Sequence, residues 1–169
     1  MSLIYGLVNR LGDDLPISVA SAHCDIPCKI YDPHTAQIAV LTMIRTLDIM
    51  AELPQSGELT RSQQAEFTRL VMQKEQHGIE VKEAVRVIWG DYFKQPQLEQ
   101  FPEIHSLTHE IMMMASRAKQ NLDRDAALTL LEKVNRFADI FWQSKGVATY
   151  TADCPYPPAL PVVYPDLKS

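Results

Sequence analysis

The chain has 169 residues, 46% apolar and 22% charged, with a formal net charge of -5. That is enough for one domain with a real core, and the negative charge argues against nucleic acid or an anionic membrane as partner, since both need clustered Lys and Arg. No apolar run approaches the ~20 residues of a membrane span. Three cysteines, Cys24, Cys28 and Cys154, are too few for a disulfide scaffold. They point to a reducing, cytoplasmic setting with thiols used as ligands or redox groups.

Residues 1–22 differ from the rest. Asp13 and Asp14 interrupt the weakly amphipathic stretch Met1 to Leu11, so it lacks the continuous apolar centre of a secretory signal. It ends in Ala20-Ser21-Ala22, small residues that a processing protease accepts. The segment is expected to be a leader whose removal makes His23 the N-terminus.

His23-Cys24-Asp25-Ile26-Pro27-Cys28 comes next. Two thiolates suit late transition metals, and Pro27 restricts the turn that returns the second sulfur. A free His23 would add an amine and an imidazole, with the Cys24 backbone nitrogen lying between the amine and the Cys24 thiolate. Two nitrogens and two sulfurs around one ion suit nickel or copper better than zinc. Taken alone, the cysteine pair also allows a redox disulfide or half of a zinc site.

From Asp32 the pattern is helical. Asp32 before Pro33 predicts an N-cap, with Ile38, Leu41, Ile44 and Leu47 on the apolar face and a stop at Pro54 and Gly57. Thr60 with Gln63 predicts a capping box opening a second, longer helix. Its apolar face is Phe67, Leu70, Val71, Val81, Val85, Ile88, Trp89 and Tyr92, and Gly78 is expected to weaken its middle. Pro96 and Pro102 bracket a break. A third helix carries Ile104, Leu107, Ile111 and Met114, and Asp123 caps a fourth that ends near Gly146.

The prolines after Thr149 predict an extended tail over a surface, with no strand pattern. The expected fold is therefore all-α. It is an up-and-down four-helix bundle over 23–148, with an N-terminal metal hook and an extended proline-rich tail over 149–169.

The hook, with Tyr31-Asp32-Pro33 after it, closely resembles that of the nickel superoxide dismutases. The resemblance continues in Trp89-Gly90-Asp91-Tyr92-Phe93-Lys94, Phe101-Pro102-Glu103-Ile104-His105 and Phe141-Trp142, in order, across roughly 23–145. It implies a homohexamer of four-helix bundles with one nickel ion per subunit. The ligands would be the amine and imidazole of His23, the amide nitrogen and thiolate of Cys24, and the thiolate of Cys28. Tyr31 and Tyr92 match tyrosines that line the approach to the metal, Asp25 the hook aspartate, and Lys94 a lysine that favours an anionic substrate. A leader-removing protease is implied as well.

Three positions depart from that pattern. Lys29 stands where the family usually has glycine. Ala39 takes the place of a glutamate, and His77 that of an arginine, both of which contact the axial histidine in well-studied members.

Other residues carry plainer expectations. His34, His105 and His109 are expected at surfaces or interfaces, Met112-Met113-Met114 in packing, and Cys154 as a free tail thiol. The expected function is nickel-dependent dismutation of superoxide to dioxygen and hydrogen peroxide. The alternative is a hook-bearing homologue without that activity, serving as a metal-binding, redox-sensing or assembly protein. A zinc-binding bundle is a weaker third.

Overall fold

The computed structural model describes residues 29–167. The expected leader (1–22) and the hook residues His23, Cys24, Asp25 and Cys28 lie outside the described residues.

Four long helices make the body: α1 (His34–Glu52), α2 (Arg61–Val87), α4 (Ile104–Gln120) and α5 (Arg124–Ser144), with the short α3 (Gln95–Gln100) between α2 and α4. The long helices close a ring in which α1 touches α2 and α5, and α4 touches α2 and α5. Inside it lie Val40, Met43, Ile44, Val81, Val85, Ile111, Leu130, Val134, Phe137 and Phe141, all buried. Burying branched and aromatic side chains at helical spacing drives this arrangement.

The helix starts reflect local chemistry. Asp32 Oδ1 accepts from the His34 N–H at 2.8 Å, across Pro33, which has no N–H to satisfy. Thr60 and Gln63 form the expected reciprocal capping box. Asp123 accepts from the Ala126 N–H at 3.0 Å to open α5. Gly146, at φ +73°, comes just after the last turn of α5.

Several expectations are corrected. Ile38 is exposed at 36%. Three-residue steps drift around a 3.6-residue helix, so the first member of that series leaves the core stripe. α2 runs unbroken past Gly78, over which the Lys119 side chain packs. The segment between Pro96 and Pro102 holds α3.

The fold is mostly helical but not wholly so. Thr149–Asp153 (β1) and Pro161–Pro165 (β2) form an antiparallel hairpin, with Tyr150 opposite Tyr164 and Ala152 opposite Val162. Hydrogen bonds from the Cys154 N–H to the Leu160 carbonyl and from the Asp166 N–H to the Ala148 carbonyl set its phase. Pro161 and Pro165 then fall on alternate positions, where an N–H would point away from the partner strand. Proline density excludes helix here without excluding strand. Val162 and Cys154 are buried against the bundle, so Cys154 is a packed thiol and not an exposed one.

Among the described residues no helix is long and apolar enough to cross a membrane.

Candidate metal centre and its surroundings

The chain leaves the hook at Lys29, whose φ is +59°. This is the left-handed conformation that glycine adopts freely and lysine only at a cost. The departure from glycine thus changes the residue and keeps a glycine-like backbone.

Tyr31 and Tyr92 are brought together, ring centroids 6.0 Å apart and tilted by 55°. Tyr92 ends a π-helical turn, Ile88–Tyr92, in which the Phe93 N–H donates to the Ile88 carbonyl at 3.3 Å. Such turns add one residue to a helix and so rotate the side chains beyond them, and they recur at functional sites. Here the turn seats Tyr92 beside Phe93 at 5.1 Å and Phe141 at 4.8 Å.

Two residues with no sequence signal hold Tyr92. Its hydroxyl lies 2.8 Å from Ser144 Oγ, and Lys145 Nζ sits 4.8 Å above its ring and 5.0 Å above that of Phe141. Ser144 is 52 residues away along the chain. No local motif announces the pair, because the ring of helices alone creates it.

Other expected residues have partners of their own. Lys94 Nζ donates to the Gly90 carbonyl at 3.1 Å. Trp89 is 36% exposed, and its indole N–H donates to His105 Nδ1 at 3.0 Å. His105 therefore holds the π turn against the start of α4, and His109 is exposed.

Ala39 is buried in the core with no carboxylate in its place. His77 turns back on α2, with Nδ1 2.7 Å from the Gln73 carbonyl and Nε2 3.9 Å from Glu80. No cluster of three His, Cys, Asp or Glu suited to a metal occurs among the described residues.

Residues 18–145 match the family described as nickel-containing superoxide dismutase. The chain belongs to that family. Among its relatives is the nickel superoxide dismutase of Streptomyces coelicolor, 34% identical over 130 residues, which span 77% of this chain and 93% of that protein. The enzyme of Streptomyces seoulensis is 33% identical over 126 residues, 74% of this chain and 89% of the relative. The native structure of a nickel superoxide dismutase matches with a TM-score of 0.65 at 32% identity, covering 73% of this chain and 99% of the other. The fold and the family thus agree.

For a member of the nickel-containing dismutase family, the donors outside the described residues are chemically suitable. Two thiols and an imidazole are soft or intermediate donors of the kind a late transition metal takes. The family match ends at residue 145, before the hairpin begins.

Proposed function

We propose that this chain is a nickel-dependent superoxide dismutase, in which two superoxide anions and two protons give dioxygen and hydrogen peroxide. The observation that carries this is a family match that begins before His23 and spans the whole hook. Nickel is held by the His23 amine and imidazole, the Cys24 amide nitrogen and thiolate, and the Cys28 thiolate, and supplies a one-electron couple there. Asp25 shapes the hook. Tyr31 and Tyr92 line the approach and order the water through which protons arrive; their 6.0 Å separation supports that role. Lys94 adds positive charge for an anionic substrate.

On this reading a processing protease removes residues 1–22, since retaining them would turn the His23 amine into an amide. Each subunit holds one nickel ion, and the up-and-down bundles assemble as a homohexamer in the cytoplasm. The test is an intact mass and N-terminal sequence of protein from its native cells, with metal content and dismutation measured with and without nickel. A chain beginning at His23 that needs nickel for activity is expected. A chain beginning at Met1, without nickel or dismutation, would overturn the proposal.

Ala39 and His77 favour a second reading, a hook-bearing homologue that has lost the activity and serves as a metal-binding, redox-sensing or assembly protein. Ala39→Glu with His77→Arg distinguishes the two: a large gain in activity supports the second reading, and little change in an active parent means that this branch orients its histidine in another way.

A further inference from the structure

Val163 is where the hairpin meets the bundle. Its N–H and carbonyl point away from β1, and helix side chains take both. The N–H donates to Asn135 Oδ1 at 3.2 Å, and the carbonyl accepts from Gln37 Nε2 at 2.9 Å. Gln37 also donates to Asn135 Oδ1 at 2.9 Å, and Asn135 Nδ2 donates to the Pro161 carbonyl at 2.9 Å. The outer edge of β2 is thereby read by α1 and α5, as a partner strand would read it.

With both N–H groups of Gln37 committed to acceptors, its amide has one orientation. Its Oε1 then faces His34 Nδ1 at 3.3 Å, so that ring nitrogen carries the proton. The His34 ring also lies 6.0 Å from Tyr164 of the hairpin, and its backbone N–H is the one bound by Asp32. Gln37 is only 1% exposed, so loss of its partners would strand a buried amide. A connected path therefore runs from the hairpin through Gln37 to His34 and Asp32, the residue directly after Tyr31.

We propose that the C-terminal hairpin is a strap on the first turn of α1, with Gln37 as its positioning residue. Through that turn it sets the direction in which Tyr31 and the hook leave the bundle. This inference rests on the hook being a metal site. It goes beyond the family match, which stops short of the hairpin. The strap steadies the base of the hook in a chain where Ala39 and His77 replace the family's usual groups near the metal.

Gln37→Met keeps the side-chain length and removes its hydrogen bonds, and deletion of residues 149–169 removes the strap. In the metal-free protein, hydrogen exchange at the His34, Ala36 and Gln37 amides is expected to quicken by about tenfold in both variants, with α2 and α4 unchanged. Nickel affinity, measured against a competing chelator, is expected to fall by about tenfold, with a shifted thiolate-to-nickel absorption.

If the truncated chain fails to fold, Gln37→Met carries the test. Faster exchange with nickel affinity held within about twofold would break the link to the hook. Unchanged exchange would refute the strap. A parent protein that takes up no nickel defeats the metal reading instead, and the exchange result then decides the strap alone.

Discussion

The Tyr92 hydroxyl and Ser144 Oγ lie 2.8 Å apart, and Ser144 Oγ is 2.7 Å from the Phe141 carbonyl. A carbonyl only accepts, so the single serine proton goes to Phe141 and the phenol donates to the serine oxygen. Ser144 thereby holds the Tyr92 proton on the helix side of the ring. Ser144→Ala should lower the dismutase activity of nickel-loaded protein by roughly tenfold with little change in thermal unfolding. Ser144→Thr keeps the acceptor and should retain activity. Pulse radiolysis measures both, and equal rates in all three proteins would remove Ser144 from any role.

Gly78 predicts an unusual sign. Gly to Ala inside a helix ordinarily stabilises by about 1 kcal/mol. At this site a Cβ would lie 2.2 Å from Lys119 Cγ and 3.3 Å from Met43 Cε. Gly78→Ala must push aside the Lys119 stem and its 3.5 Å pairing with Glu75. A loss of about 1–2 kcal/mol is expected in denaturant unfolding. Adding Lys119→Ala should restore most of it, and additivity of the two changes would contradict the contact.

Lys74 is 2% exposed, and its ammonium donates to the carbonyls of Ala118 (3.0 Å) and Lys119 at the end of α4. These are carbonyls that a helix end leaves unpaired. Burial pushes the Lys74 pKa below its usual 10.5, only partly opposed by Glu75. Between the lowered folded value and 10.5 the unfolded chain binds the extra proton, so this group makes stability rise with pH across that window. Lys74→Met should cost about 1–3 kcal/mol at neutral pH by stranding the carbonyls. The gap between parent and variant should widen as pH rises toward 10.5, and a gap that narrows would show the opposite shift.

Lys29 holds φ +59° at the exit from the hook. Lysine is strained by about 1 kcal/mol there, and a β-branched residue tolerates it less. Lys29→Gly should leave nickel affinity unchanged or slightly improved. Lys29→Val should add about 1 kcal/mol of strain and weaken nickel binding, as titration with a competing chelator would report.

Signals confined to a few residues are legible in the sequence. The caps at Thr60 and Asp123 and the stop at Gly146 each depend on one turn of backbone, and each is present. Features that depend on a distant neighbour are not legible there. Gly78 reads as a weak point because its propensity is local, whereas Lys119 packs over it from another helix. The prolines after Thr149 hide a hairpin, because which of their missing N–H groups matter depends on register with the opposite strand. Trp89 fits an apolar stripe, yet its indole reaches His105 across the π turn.

By itself, the sequence determined the four long helices, the caps at Thr60 and Asp123 and the family, because capping and apolar period are encoded within short spans of chain. The tertiary structure alone decided which residues hold Tyr92 and the hairpin. Ser144 and Lys145 reach Tyr92, and Gln37 and Asn135 grip the edge of the hairpin, only because four helices close into one ring. Contacts between residues far apart in the chain form when buried surface brings them together, and no local pattern records that.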